Sequence, residues 1–118
     1  MNRARHVRRM CGQIANRIGR KPAYIEFTDQ PFMRLVAEWE QLPDLRRVSV
    51  GYTHTVNDDV CYDPLVIVEL APNVVTARVI NSLAGTCLPD GDLSFTAEFL
   101  ELVLDRHHDR FLAEGSDK

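Results

Sequence analysis

Apolar residues recur at three- and four-residue steps over residues 3–18, which is the period of an amphipathic helix. This stripe consists of Val7, Met10, Cys11, Ile14, Ala15 and Ile18. Gly19 then provides a helix C-cap and Pro22 prevents the helix from continuing. The pattern predicts a first helix over residues 3–18.

The next stretch predicts a short strand followed by a second helix. Residues 23–27, AYIEF, are typical of an edge strand. Thr28 and Asp29 are N-cap candidates, and Pro31 suits the first turn of a helix. The expected apolar face of this second helix consists of Phe32, Leu35, Val36 and Trp39. The helix is expected to end before Pro43.

Residues 47–70 predict a β-hairpin around which the rest of the chain is organised. Alternating apolar and polar residues over positions 48–53 indicate a half-buried strand. Asn57, Asp58 and Asp59 favour a tight turn. The unbroken apolar run from Leu65 to Val68 predicts a central, buried return strand, and Pro64 is expected at a bulge or an unpaired edge position.

A third strand is predicted over residues 74–80, and a short fourth strand around residues 86–88. Ser94 or Thr96 is expected to cap a last helix that ends at Gly115, with Phe99, Leu100, Val103, Leu104, His107 and Phe111 on its buried face. The predicted fold class is α+β: two N-terminal helices, a three- or four-stranded antiparallel meander, and one C-terminal helix packed on the sheet.

Composition fits one domain over residues 1–118, since 118 residues that are 45% hydrophobic can bury a modest core. No stretch approaches the 18 consecutive apolar residues of a membrane-spanning helix. No continuous apolar segment follows the basic start of the chain, as a secretory signal would require. We therefore expect a cytoplasmic protein without a membrane partner.

Charge divides the chain into two parts. Residues 1–21 carry seven basic residues and no acid, whereas residues 22–118 carry a balance of −10. We interpret 1–21 as a basic amphipathic helix, 22–115 as an acidic α+β body, and 116–118 as a frayed tail. The helix either binds a partner or packs on its own body; its candidate partner-binding residues are Arg5, Arg8, Arg9 and Arg17.

Three stretches together resemble a small bacterial family known only as a domain of unknown function, whose members are often encoded on plasmids and other mobile elements. They are PFMRLV at 31–36, RVSVGYTHTVNDDVCYDP at 47–64 and FLELVLDRH at 99–107. The resemblance covers roughly residues 30–108. Asp58 stands where the family's turn usually has glycine. The resemblance implies a fold and a kind of host, and it transfers no catalytic residue.

The hairpin holds the best candidate for chemistry. His54, Asp58, Asp59 and Asp63 are grouped there, and carboxylates with a histidine can bind a divalent metal. Their spacing matches no ligand motif, and any tight turn selects Asn and Asp. A solvated turn is therefore the favoured interpretation, with His54, Asp58 and Asp63 as weak metal candidates and no cofactor predicted.

Other reactive residues show no catalytic pattern. Cys11, Cys61 and Cys87 have no C-x-x-C spacing, so we interpret them as reduced and mostly buried thiols. His107 and His108 are adjacent, and adjacent residues of a helix point in directions too different to share one metal ion. Neither a phosphate-binding loop nor a hydrolase motif is present. The sequence favours a protein that is not an enzyme.

We predict a non-enzymatic protein-interaction module that binds another protein or complex and modulates or inhibits it. The resemblance to mobile-element proteins suggests a host defence complex that targets nucleic acid. The expected acidic contact surface consists of Asp58, Asp59, Asp63, Asp90 and Asp92. One alternative is a small nucleic-acid-binding regulator that uses the first helix. The other is a metal-dependent enzyme at the hairpin.

Overall fold

Strands that are neighbours in the sequence are also neighbours in space. The computed structural model describes residues 3–18, 23–30, 33–56, 59–81, 86–89 and 92–115. Within these residues the elements are helix α1 (Arg3–Ile18), strands β1 (Ala23–Gln30), β2 (Met33–Gln41), β3 (Arg46–Val56), β4 (Asp59–Leu70), β5 (Val75–Asn81) and β6 (Thr86–Pro89), and helix α2 (Ser94–Gly115). The strands form one antiparallel sheet in the order β1-β2-β3-β4-β5-β6. The α+β class is confirmed.

The sheet has one face that packs against the helices. Register places alternate residues of neighbouring strands in common rows, such as Ala37, Val50 and Val66. The buried residues of this face are Leu35, Ala37, Trp39, Val48, Val50, Tyr52, Val66, Val68 and Leu70. They form one core cluster with the apolar sides of α1 and α2. The core therefore lies between one sheet face and the two helices.

The predicted second helix is wrong, because its residues form strand β2. Leu35, Ala37 and Trp39 are buried and Arg34, Glu38 and Glu40 are exposed, with buried Val36 as the exception to the alternation among residues 34–40. This two-residue alternation is typical of a strand, but a short apolar run also matches a helical period. Pairing with β1 on one side and β3 on the other side decides between them, since both ladders satisfy the backbone of β2.

The predicted antiparallel meander is present as β3 to β6, but the sheet is larger than predicted, since β1 and β2 extend it to six strands within the described residues. The short strand expected near residue 87 is present as β6, and β1 lies at one edge of the sheet as predicted. Strand β4 is central, as expected, with neighbours on both sides. Its apolar run is divided between the faces: Val66 and Val68 are buried, while Leu65 and Ile67 are half-buried.

Pro64 lies at a bulge, as the missing proline amide predicts. The register of β3 and β4 shifts between Gly51 and Thr53, because a step of two residues along β3 lies opposite a step of three residues along β4. A Cβ atom on Gly51 would lie 2.6 Å from the Pro64 carbonyl oxygen and 2.8 Å from the Cα of Leu65. Close approach of the two backbones therefore requires glycine at this position.

The other sheet face carries a row of charges across three strands. Arg47 lies directly opposite Glu40 on β2 and Glu69 on β4. Its guanidinium binds Glu69 Oε2 at 2.9 Å and Glu40 Oε1 at 3.0 Å. These hydrogen bonds raise the pKa of the Arg47 side chain, and the bond with Glu69 has the largest effect. The row keeps this face polar at one end of the sheet.

Candidate functional site

The two helices lie side by side and run in the same direction. Arg3 and Arg5 line one groove together with Ser94 and Ala97 at the beginning of α2. Later residues of α1 line a second groove with later residues of α2, for example Gln13 with Asp105. Because the helices meet in sequence order, they form a parallel pair. We call this pair the helical layer.

The apolar side of α1 is buried against the rest of the domain. Val7, Cys11 and Ile14 are fully buried, and Met10 and Ala15 nearly so. Burial also raises the pKa of the Cys11 thiol to about 12, so this cysteine stays protonated at neutral pH and is not an activated nucleophile. The helix thus packs on its own body, which was one of the two predicted interpretations.

Polar contacts join α1 to the body across the helical layer. The Arg9 guanidinium donates to His6 Nδ1 at 3.0 Å, and His6 Nε2 lies 2.8 Å from Glu101 Oε2. Arginine only donates, so Nδ1 accepts and the proton of His6 lies on Nε2, facing Glu101. Arg8 donates to the carbonyl oxygen of Ala71, the residue that follows β4. His6, Arg8 and Arg9 therefore have partners within the domain, and Arg5 also takes part in an interaction.

On the outer surface of the helical layer, α1 exposes basic residues, whereas α2 exposes Glu98, Glu101 and Asp105 together with one basic residue, Arg106. On α1, Arg5 and Arg9 are exposed one turn apart, and we call them the basic ridge. On α2, four exposed residues at steps of three and four positions form the acidic ridge: Phe95, Glu98, Leu102 and Asp105. Phe95 is 44% exposed and Leu102 is 49% exposed. The acidic ridge thus combines two apolar side chains with two carboxylates.

A groove of about 1020 Å³ runs between the ridges. Its apolar lining comes from Met10, Leu102 and Leu104, and its polar lining comes from Arg9, Gln13, Glu98 and Asp105 among others. The groove is open to solvent along its length, unlike the enclosed pockets that bury small substrates. This shape suits a protein surface better than a small molecule.

The predicted hairpin site is only partly covered by the structure. His54 is half-buried and pairs with Cys61 across β3 and β4. Asp58 lies outside the described residues, and only the backbone of Asp59 and Asp63 is described. Among the side chains that the structure describes, no group of histidine, cysteine or acidic residues could hold a metal ion.

The predicted acidic residues lie in different parts of the fold. Asp59 pairs with Val56 at the turn end of the hairpin, whereas Pro89 lies in the same cross-strand row as Ser49. Seven residues of β3 separate those two levels, which corresponds to roughly 23 Å. Asp90, next to Pro89, lies outside the described residues. Asp59 is therefore far from the segment that follows β6, whereas Asp63, between Tyr62 and Leu65, lies nearer to the level of that segment.

Asp92 has a structural role at the start of α2. Its Oδ1 atom accepts a hydrogen bond from the Ser94 amide at 2.9 Å, and the Leu93 carbonyl accepts from the Ala97 amide. Leu93 is buried with a φ of 64°, a conformation that non-glycine residues rarely adopt. These contacts fix the direction in which α2 leaves the sheet and so position the acidic ridge.

The acidic ridge itself was not among the predicted contact residues. Its signal in the sequence was present, because Phe95 and Leu102 lie seven positions apart and off the predicted buried stripe of α2. Of the predicted basic contacts, Arg5 and Arg9 are exposed and Arg8 is half-buried. The side chain of Arg17 lies outside the described part of the chain.

Comparison of the chain with family models, curated proteins and solved structures gave no match. The resemblance to a mobile-element family thus stays a prediction. Within the described residues, neither helix is long and apolar enough to cross a membrane.

Proposed function

We propose that this protein is a non-enzymatic interaction module that binds a basic surface of another protein through the acidic ridge. One observation carries the proposal: large apolar side chains of α2 are exposed between carboxylates, on a helix whose opposite side is buried in the core. Exposed Phe95 would be the anchor, since aromatic residues are enriched at interfaces, and Leu102 would add apolar area beside it. Glu98 and Asp105 would select a basic partner.

The partner we favour is a host complex whose activity the protein modulates or inhibits. Residues 22–118 carry a balance of −10, and an acidic surface can occupy a basic groove that otherwise holds nucleic acid. The resemblance to mobile-element proteins suggests a nucleic-acid-targeting defence system as that complex. The protein would then act in the cytoplasm, where such systems work.

The test is capture from host lysate with tagged wild type, a Glu98→Lys/Asp105→Lys variant and a matched control. Glu38→Lys/Asp44→Lys is the control because both residues are exposed and lie outside the helical layer. We expect the ridge variant to lose the proteins that wild type and control retain, at about 0.15 M salt. Equal capture by all three would refute the acidic ridge as the binding surface.

A nucleic-acid-binding regulator is the second candidate, because Arg3, Arg5 and Arg9 are exposed on α1. Glu98 and Glu101 line the same groove as these arginines and lower the positive potential there. Deleting α1 would also remove part of the core, so Arg5→Glu/Arg9→Glu is the appropriate variant. Binding of labelled DNA or RNA by wild type, lost in this variant, would favour the regulator over the interaction module.

A metal-dependent enzyme at the hairpin is the remaining alternative from the sequence. Calorimetric titration with magnesium, manganese and zinc tests it directly. Heat of binding that disappears in His54→Ala would favour this alternative, and an unchanged melting temperature without heat would exclude it.

A further inference from the structure

We infer that the helical layer also binds a second copy of this chain, with the acidic ridge of each copy against the basic ridge of the other. The inference rests on the proposed function in one respect, since it uses the acidic ridge as a binding surface. It names a specific occupant for that surface.

The parallel arrangement of the helices makes the layer self-complementary. A twofold axis parallel to the helices and lying in the interface places α1 of one copy opposite α2 of the other. Rotation about that axis does not change the height of a residue along the helices. Residues at the same level in one copy therefore face each other between copies, and both contacts of the pair are identical, as a symmetric dimer requires.

One charge on each ridge lies at a matching level. Arg9 lines both grooves together with Glu98 and Glu101, so it is level with that part of α2. Arg5 shares its groove with Ser94 and Ala97, one turn earlier. The rotation thus brings Arg9 opposite Glu98 of the second copy, whereas Arg5 faces the level of Ser94 and Ala97 and Asp105 faces the level of Gln13. The contact therefore contains two symmetric pairs of Arg9 with Glu98, and Arg5 and Asp105 lie beyond them.

Charge also excludes the competing symmetric arrangement. A twofold axis perpendicular to the helices in the same plane would place α1 against α1 and α2 against α2. Arginines would then face arginines and carboxylates would face carboxylates. Contacts between like charges are unfavourable when the charged groups are removed from water. The parallel four-helix arrangement pairs opposite charges and covers Phe95 and Leu102, which are about half exposed in the single chain.

Sedimentation velocity of wild type and of two charge-reversed variants tests the dimer. We expect wild type to be dimeric at about 100 µM and to dissociate as salt rises toward about 1 M. Glu98→Lys/Asp105→Lys and Arg5→Glu/Arg9→Glu should each raise the dissociation constant at least about tenfold. An equimolar mixture of the two variants should form a heterodimer, because each ridge then meets an opposite charge again.

Three outcomes would overturn the inference: monomeric wild type at this concentration, a variant that stays dimeric, or a mixture that stays monomeric. Far-ultraviolet circular dichroism confirms that each variant is folded, and Leu102→Asp offers a single exposed change if a double variant is not. Capture of the host partner should survive Arg5→Glu/Arg9→Glu. Failure of the dimer and failure of the proposed function are therefore distinguishable.

Discussion

Replacing Gly51 by alanine tests the contact between β3 and the bulge of β4. The new Cβ would lie 2.6 Å from the Pro64 carbonyl oxygen, 2.8 Å from Leu65 Cα and 2.9 Å from Leu65 Cδ1. Two of these atoms belong to the backbone of a central strand, so side-chain rotation cannot relieve the overlap. Overpacking of this kind costs about 1–3 kcal/mol, and a rigid neighbour favours the upper end.

Alanine also brings a gain, because glycine loses more conformational freedom on folding, by roughly 0.5–1 kcal/mol. The expected net loss is therefore about 2 kcal/mol in the free energy of unfolding. At this chain length it corresponds to a melting temperature lower by roughly 8 °C. In urea, with a slope near 2 kcal/mol per molar, the midpoint should fall by about 1 M.

Fluorescence of Trp39, the single tryptophan, reports the unfolding, since it is buried with the Arg46 guanidinium 4.7 Å from its ring centre. Gly12→Ala on α1 is the matched control, because a Cβ there meets no atom within 4 Å. It should stabilise the protein by about 0.5–1 kcal/mol. All samples need the same protein concentration, as any dimer shifts the midpoint. A Gly51→Ala midpoint within error of wild type would refute the steric argument.

Two further predictions concern charge. Burial raises the pKa of the Cys11 thiol from 9.0 to about 12. The free energy of unfolding is therefore unaffected by this thiol below pH 9 and falls as pH rises toward 12, by up to about 1.4 kcal/mol per pH unit. In Cys11→Ala the urea midpoint should fall less steeply between pH 9 and 11 than in wild type, and equal slopes would contradict this prediction. Arg47→Met should cost less than about 1 kcal/mol, because its two ion pairs are partly exposed. That cost should shrink in high salt, and a salt-independent loss would indicate a packing effect instead.

The sequence predicted the elements whose pattern has a single interpretation. The stripe of α1 and the hairpin of β3 and β4 match the structure, because a long helical period and a turn of Asn and Asp leave few alternatives. Residues 33–41 were misassigned because their apolar positions fit two periods. Only long-range pairing with β1 and β3 separates them, and a local pattern contains no information about pairing.

The candidate site was harder to predict than the fold. Arg9 and Glu98 are 89 positions apart in the sequence, and their shared groove depends on how both helices cross the sheet. The separation of basic and acidic residues along the chain was visible in the sequence. How the two helices bring those residues together was not. The acids predicted as contacts lie mostly in turns, where acids are common, and the acids beside Leu102 on α2 were not among them.

The joining of the first and last helices has a consequence for the order of folding. His6 contacts Glu101 across 95 positions of the chain, and the apolar side of α1 is completed by residues of α2 such as Leu100. Non-local contacts form late, because a long loop must close first. During synthesis, the sheet can therefore pair strand by strand and pack on α1, while the part of the apolar side of α1 that α2 covers stays exposed. We expect α1 to be the segment most in need of chaperone protection until α2 has emerged from the ribosome.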